Sequence, residues 1–529
     1  MPKVVKIATF LVHLHHYLRM DKIIDMRTLK FILFAVCATL FFGCSNEEKP
    51  SMTFSESGLY FQWGGEAQTI SYVTKDAKSV ALKSTTDGWT CKLDTTTRTI
   101  TITPPADPMD EDKRDAMRDA DIRFTLTANS GETSTYTVDC YIIGDSMNYV
   151  NDGGKFANSY VLTQPKSAYV IDLSKDGAGR ALSGVADAVI LWQSERALLQ
   201  HFVYDAESTT ATFYIDALLD DDGETYIKED GKFVMPNGNV VVAALDSKEN
   251  VLWSWHLWLS KEANNPLNDY ATYSNGVTFM NRNLGAYANS NGKSDDTTLI
   301  LDSYGLYYQW GRKDPFLRPY YHDCSGGEDQ YVYDGAGATH YLEYVESSAE
   351  TGTVEYAIAH PSTFIINPKS VDEGGNGVGD WLNTPDNSLW SGTTKSVYDP
   401  CPYGWRVPAG SDFDCLKLSA EEDSMPLEQA RKRFGWTLTD GTNSYFYLAA
   451  GFRSYYDGVI HNMNHKDGVY PSQPEPWEGY YWTAGTTADG KQSTCMYFDL
   501  TTTRTINKFN LNYASKRANA MQIRCVKVK

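Results

Sequence analysis

Ile122-Arg123-Phe124-Thr125-Leu126-Thr127 alternates apolar and polar side chains at every step. Only an extended strand sends successive residues to opposite faces, so this stretch reads as a strand with one buried and one solvated face. Thr69-Ile70-Ser71-Tyr72, Arg98-Thr99-Ile100-Thr101-Ile102-Thr103 and Tyr136-Thr137-Val138-Asp139 share the period. Turn residues separate them, and short strands at this spacing predict a β-sandwich over residues 51–145. The acidic segment Asp107–Asp121 has helical propensity and reads as a solvated insertion between strands.

Working outward toward the C-terminus, Ala188-Val189-Ile190-Leu191-Trp192 and Val240-Val241-Val242-Ala243-Ala244-Leu245 are continuous apolar runs, as strands buried on both faces require. Pro236-Asn237-Gly238-Asn239 is a turn. In Val251–Leu259, Trp253, Trp255, Leu257 and Leu259 share one face, and Leu252, Ser254, His256 and Trp258 the other. His256 is expected to be a satisfied core histidine and the tryptophans to be packing. Residues 146–262 therefore read as a second β-rich domain. Residues 263–529 are dominated by glycines and aromatics, which predicts short strands and long loops. Two helices are expected there. Ser411-Asp412-Phe413-Asp414 has the form of a capping box before Cys415-Leu416-Lys417-Leu418. Leu427, Ala430 and Phe434 are spaced for one helix face, with Gly435 as terminator. The chain is thus expected to be mainly β with a C-terminal α+β module.

At the other end, Arg27 and Lys30 precede the apolar run Phe31–Phe42, broken only by Thr39 and ending Phe41-Phe42-Gly43-Cys44. A membrane-spanning helix needs about 20 apolar residues, so this run has signal-peptide length instead. Its end resembles a bacterial lipobox, which implies that Cys44 becomes the lipidated first residue of the mature chain. Ser45-Asn46-Glu47-Glu48-Lys49-Pro50 is a flexible tether by composition. It resembles the acidic export signal of Bacteroides-type surface lipoproteins, which implies the outer face of the outer membrane. Residues 1–43 are read as the signal region and 44–50 as the tether. Residues 1–25 read as an over-extended start ahead of Met26, and with them His13, His15 and His16, so these are not taken as a metal site.

Removing 43 residues leaves 486, enough for two to four domains. A net charge of −20 argues against nucleic acid, whose phosphates demand a basic surface, and suits a protein on a cell exterior. The 35 tyrosines and 13 tryptophans supply cores first and sugar-stacking faces second. Beyond Cys44 the cysteines are Cys91, Cys140, Cys324, Cys401, Cys415, Cys495 and Cys525, an odd number that leaves at least one thiol without an intrachain partner. None has zinc-site spacing.

The last segment carries six ordered strings: Phe279-Met280-Asn281-Arg282-Asn283-Leu284-Gly285-Ala286; Gly305-Leu306-Tyr307-Tyr308-Gln309-Trp310-Gly311-Arg312-Lys313-Asp314-Pro315-Phe316; Tyr398-Asp399-Pro400-Cys401-Pro402-Tyr403-Gly404-Trp405-Arg406-Val407-Pro408; Gly451-Phe452-Arg453; Gly479-Tyr480-Tyr481-Trp482-Thr483-Ala484; and Ile523-Arg524-Cys525-Val526. Together they resemble the Fibrobacter succinogenes major paralogous domain (FISUMP) family over about half the chain. The stretch Ala188–Leu259 is similar to a region that precedes this domain in Bacteroides lipoproteins. Residues 51–145, with Gly88-Trp89-Thr90-Cys91 in mid-domain, resemble BACON and related Ig-like modules; a Cys91–Cys140 bridge stays open there. The FISUMP pattern resembles C-type-lectin-like folds, whose chain ends meet. The resemblance implies a Cys401–Cys525 bridge, makes Cys415 and Cys495 candidates for a second, and leaves Cys324 as the odd thiol. Glycine, tryptophan, proline and cysteine signatures usually specify a fold, so Gly404, Gly451 and Gly479 are expected at turns or close approaches and Trp405 and Trp482 in the core. Arg312 and Asp314 are expected to form a structural ion pair on one strand face.

No Gly-x-Ser-x-Gly elbow, phosphate loop or His-Glu-x-x-His helix is present, and no spacing singles out a carboxylate pair among 67 acidic residues. The chain is therefore expected not to be an enzyme. Gln473-Pro474-Glu475, with Glu478 nearby, resembles the Gln-Pro-Asp lectin motif, but the downstream Trp-Asn-Asp element is missing, so no calcium or other cofactor is expected. Trp477, Tyr480 and Tyr481 beside that loop complete the candidate ligand-binding set. The expected role is non-catalytic adhesion: two β-sandwich-like domains carry a C-type-lectin-like domain, 263–529, that binds glycan or an extracellular protein. The alternatives are a fimbrial tip or accessory subunit and a carbohydrate-active hydrolase.

Overall fold

The computed structural model describes residues 50–56, 58–142, 147–220, 223, 225–290, 292, 296–318, 331–369, 378–426, 434–461, 478–500 and 509–529. The signal region, Cys44, Cys324, Leu427, Ala430, Gln473, Glu475 and Trp477 lie outside them. The chain divides at Ile142 into two units.

The first unit contains β1 (Ser51–Phe54), β2 (Gly58–Phe61), β3 (Gln68–Lys75), β4 (Ala77–Ser84), β5 (Thr90–Asp94), β6 (Thr99–Thr103), helix α1 (Glu111–Met117), β7 (Asp119–Ala128) and β8 (Thr133–Ile142). They form two four-stranded sheets, β1-β3-β6-β5 and β2-β8-β7-β4. The alternation decides which side faces in. Ile70, Ile100, Ile102, Ile122, Phe124, Leu126 and Val138 meet in one core between the sheets, so the unit is a β-sandwich. In the acidic insertion, Asp110 caps α1 by accepting the Lys113 amide, and Arg114 pairs with Asp107 at 2.5 Å. The Trp89 indole donates to the Met117 carbonyl at 2.8 Å, tying the helix end to the core. Cys91 and Cys140 are free thiols; they stand on opposite sheets, which pack roughly 10 Å apart against the ~5.5–6 Å Cα separation usual for a disulfide.

The second unit opens with β9 (Asn148–Tyr149), β10 (Ser159–Leu162), β11 (Ser167–Asp172), β12 (Asp187–Gln193), β13 (Gln200–Asp205), β14 (Thr210–Ile215), β15 (Lys228–Glu229), β16 (Lys232–Phe233), β17 (Gly238–Leu245) and β18 (Val251–Leu259). One sheet runs β13-β14-β11-β9. The other runs β10-β18-β17-β12 and continues into Tyr331–Tyr333 and Thr339–Tyr341. Trp253, Trp255, Leu257 and Leu259 face the first sheet, packing with Ile171, Phe213, Ile215 and Val242. The opposite face is covered as well: Trp192, Val241 and Trp258 join Leu284, Trp310, Trp381, Trp405 and Trp482 in a second core. The segments 146–262 and 263–529, expected as separate domains, fall in one compact unit.

His256 sits at 1% exposure between the Ser159 hydroxyl and the Asn239 amide oxygen, both at 2.9 Å. Burial pushes its pKa down to about 3, so the ring is neutral and structural. The expected Arg312–Asp314 pair does not form. Gly311 turns the chain at φ +86°, so 312–314 is no strand and its side chains diverge. Asp314 takes Lys313 at 2.7 Å and the Ser254 hydroxyl at 2.6 Å, while Arg312 donates to Gln309 Oε1 and the Thr363 carbonyl. The expected helix at 411–418 is a 3-10 turn, Gly410–Phe413, followed by a strand, Lys417–Leu418. There Asp412 is committed to Arg406 at 2.8 Å, and Lys417 and Leu418 pair with Thr439 and Leu438. Gly435 starts the strand Gly435–Thr439, and the helix expected before it falls on 427–433, outside the described residues.

The C-terminal strand Val526–Lys527 lies between Thr278–Met280 and Trp405–Arg406, and Cys401 is disulfide-bonded to Cys525. Cys415 and Cys495 are free thiols. The pleat separates them: Met496 and Phe498 face the core that Cys415 borders, whereas Cys495 faces the core of Trp310 and Trp482. Among the described residues no helix is long and apolar enough to cross a membrane.

Two outcomes are expected. The Cys401–Cys525 bridge closes a sequence separation of 124 residues, so the Cys401→Ser/Cys525→Ser double variant should lose about 2–5 kcal/mol in a denaturant titration. On the outer face of the first unit, Asp139 stands directly opposite Asp121. Burial first, and the Asp121 charge second, raise its pKa from 3.8 to about 6. Between those values the folded state holds the extra proton, so stability falls as pH rises from about 4 to 6. Asp139→Asn should remove that slope and gain about 1 kcal/mol or less at pH 7, because the site is half exposed; thermal melts from pH 4 to 7 check both.

Candidate functional site

Glu478, Tyr480 and Tyr481 open the strand Glu478–Thr486, which bonds to Ser493–Asp499 on one side and bridges Gln522 on the other. Both of its faces are covered. Tyr480 and Trp482 enter the core of Trp310, and Tyr481 enters that of Trp436. Glu478 is fully buried and accepts the hydroxyls of Tyr480 at 2.5 Å and Tyr497 at 2.8 Å. The Tyr481 hydroxyl donates to the Leu448 carbonyl at 2.9 Å. These three candidates are therefore core residues with internal partners and present nothing to a ligand. Gly479 lies between them because a Cβ there would meet the Phe498 ring at 2.1 Å.

An open cleft lies elsewhere in the same unit, with a volume of about 860 Å³. The hairpin of Gly435–Thr439 and Ser444–Leu448 supplies Thr437, Asn443, Ser444, Tyr445 and Phe446. The segment around Tyr270–Met280 supplies Thr272 and Asn281, the next loop Asn289 and Ser290, and the short helix Ala420–Ser424 supplies Glu421. Arg524 also lines it, beside the disulfide.

Asp440 fixes one end of this cleft. Its carboxylate accepts the amides of Thr442 and Asn443 at 2.8 Å, the Ser274 amide at 2.9 Å and the Tyr445 hydroxyl at 2.9 Å. Burial pushes its pKa up, but the four donors outweigh it and hold the group at about 2. Asp440 is thus a permanent anion that locks the hairpin turn against the Ser274 loop and holds the Tyr445 hydroxyl. Asn281 is oriented by Asp269 at 2.6 Å.

The lining is mostly neutral and polar: three amides (Asn281, Asn289, Asn443), hydroxyls (Thr272, Ser290, Ser419, Thr437, Ser444) and two charges, Glu421 and Arg524, while the rings of Tyr445 and Phe446 are buried in two different cores. Glu421 is the one carboxylate among the described lining residues, whereas glycoside hydrolysis uses two about 5–10 Å apart. Among the described residues no group of three or more His, Cys, Asp or Glu side chains is placed to hold a metal. A smaller, apolar groove of about 250 Å³ lies against Trp192, Phe316 and Tyr341. Sequence reading missed the large cleft because Asp440-Gly441-Thr442-Asn443 carries only a turn signal. Its other polar residues are scattered from 272 to 524.

No family model matches the chain, and no curated protein does. Distant likenesses to solved structures exist. The BIgI domain of the beta protein from S. agalactiae bound to CEACAM1 is 15% identical, covers 18% of this chain and all of its own, and has a TM-score of 0.14. An endo-fucoidan hydrolase of glycoside hydrolase family 107 is 10% identical over 41% of this chain and 29% of its own, TM-score 0.15. Drosophila N-cadherin EC1-4 is 12% identical over 40% of this chain and 50% of its own, TM-score 0.15. This chain spans about a third to a half of the latter two.

Removing the Glu478 carboxylate strands two buried phenol hydroxyls. Glu478→Ala should therefore lower stability by about 2–4 kcal/mol in chemical denaturation. Unchanged stability would contradict the structural assignment.

Proposed function

We propose that this protein is a surface-anchored lipoprotein, held by lipid on Cys44, that binds glycan non-catalytically through the cleft beside the Gly435–Leu448 hairpin. The observation that carries the reading is the chemistry of that lining. Amides and hydroxyls that both donate and accept, presented at an open cleft, match the alternating hydroxyls of a polyol. The volume falls within the ~300–1,000 Å³ of ordinary ligand sites. A net charge of −20 keeps such a surface soluble and away from polyanionic nucleic acid.

The C-type-lectin-like and FISUMP assignment belongs to this proposal. Supporting it, the strand Thr278–Met280 near the start of that segment meets the C-terminal strand Val526–Lys527, and the Cys401–Cys525 bridge closes the same region.

The test is a glycan and mucin array probed with the full chain, with calcium and with chelator, beside the variant Ser444→Trp. Ser444 is exposed at the cleft, so an indole there fills the opening without entering the core. Binding by the wild type that falls about tenfold or more in the folded variant is the expected result. A blank array in both conditions, or binding untouched by Ser444→Trp, overturns the proposal. Loss of binding with chelator would assign a calcium requirement that the described residues do not supply.

A further inference from the structure

Burying a charge is costly unless an opposite charge accompanies it. The second unit generally obeys this. Arg282 lies 2.6 Å from Asp269, Arg406 2.8 Å from Asp412, Arg517 3.3 Å from Asp380, Lys313 2.7 Å from Asp314 and Lys395 2.9 Å from Asp399. Arg312 and Arg524 depart from the pattern: Arg312, 2% exposed, donates to Gln309 Oε1 and to the carbonyls of Thr363, His360 and Pro361, whereas Arg524 is set apart by its place at the cleft. Arg524 is 4% exposed, yet its Nε donates to the Asn283 amide oxygen at 3.2 Å and its Nη1 to the Phe446 carbonyl at 3.0 Å, both neutral. Its guanidinium lies 4.0 Å from the centre of the Tyr447 ring and 5.7 Å from that of Tyr481. Ring faces and carbonyl dipoles offset part of the cost of burial, but none carries a full negative charge. Among the described residues no carboxylate stands within ion-pair distance of it. Arg524 also lines the 860 Å³ cleft.

We infer that the ligand supplies the missing charge: the cleft takes an acidic saccharide, whose carboxylate or sulfate group pairs with Arg524. The inference rests on the glycan reading of the cleft and deepens it. The guanidinium fork is already immobilised by Asn283 and the Phe446 carbonyl, so little side-chain freedom remains to be lost on binding. A guanidinium gives a carboxylate or a sulfate charge-assisted hydrogen bonds, stronger than those it gives a neutral hydroxyl. Opposing this, Glu421, the Asp440 anion and the net charge of −20 carry the same sign as the ligand, but Glu421 is exposed and the distant charges lie beyond the screening length, so solvent and salt weaken both against a contact with Arg524. The amides and hydroxyls of the walls then read the sugar hydroxyls.

The experiment is calorimetric titration of the full chain with matched pairs of probes: galacturonate oligomers and the same oligomers with carboxyls reduced to hydroxymethyl groups; sialyllactose and lactose; heparin oligosaccharides and their desulfated forms. The expected result is that at least one acidic member binds about tenfold or more tightly than its neutral counterpart. The pair that shows the preference identifies carboxylate or sulfate as the source. Ser444→Trp should abolish that binding. Arg524→Lys, checked for folding by thermal melt, should narrow the preference, because a point charge replaces the fork. Titration from 50 to 500 mM salt provides a readout that needs no variant: acidic-probe affinity should fall while neutral-probe affinity holds. Equal affinity within every pair overturns the acidic-ligand inference and leaves the glycan site standing. An acidic preference untouched by Ser444→Trp also overturns it, since the anion then binds elsewhere. No binding of any probe overturns both proposals.

Discussion

A strand that is apolar on both faces needs a core on each side. In β18, Trp253, Trp255, Leu257 and Leu259 satisfy one core and Trp258 the other, and Ser254 and His256 fill the second face with polar groups that demand partners. Those partners come from distant chain. The Trp258 indole donates to the Ala286 carbonyl at 3.2 Å, Ser254 binds Asp314, and Asn239 on the neighbouring strand donates to the Gly285 carbonyl at 3.0 Å. Asn158, just before β10, accepts the Trp253 indole and donates to the carbonyls of Val397 and Asp399. Leaving any of these buried groups unpaired costs about 1–3 kcal/mol, so docking the C-terminal segment on this sheet is a condition of the sheet's own stability.

The segment Ile523–Val526 transmits that constraint to the cleft. Cys525 is fixed to Cys401, and Val526 pairs with Phe279 on one side and Arg406 on the other. Arg524, one residue earlier, therefore has no freedom to relocate. Its guanidinium meets Asn283 and Phe446, and Asn283 is itself held by Gln522. A cation can remain in such a place without a carboxylate because the backbone is committed on three sides and the rings of Tyr447 and Tyr481 cover its faces.

The fold was legible where periodicity was long and where burial was complete. Period two in β3, β6, β7 and β8 marks the sandwich, and the unbroken apolar run of β17 marks a strand with no solvent face. The same signals are local, however, and no local signal says which core an apolar face meets. The second face of β18 was read correctly as a face, but not as the joint between 147–262 and 263–529. The capping-box form at Ser411–Asp414 misled for a related reason: Asp412 does cap a turn, accepting the Ala409 amide at 2.7 Å as well as Arg406, but tertiary pairing with Leu438 and Thr439 turns the following residues into strand. Tyr480, Tyr481 and Glu478 look like ligand-binding residues by composition, yet a strand flanked by two cores buries both of its alternating sets.

The cleft was illegible because its walls and floor follow different rules. Of its lining residues, only Asn281 and Arg524 fall within the six strings that mark the C-terminal segment. The floor is thus built from residues whose positions the disulfide and the C-terminal strand dictate. The walls come from turns and loop edges such as Asn289, Asn443 and Ser444, whose side chains point to solvent and carry little of the folding energy. Substituting a wall residue changes what the cleft recognises without disturbing the cores, whereas substituting the floor disturbs both. A frame of this kind can present one fixed cation beneath interchangeable hydrogen-bonding walls, so on the proposed glycan reading specificity for one saccharide over another resides in the walls and the requirement for charge in the floor.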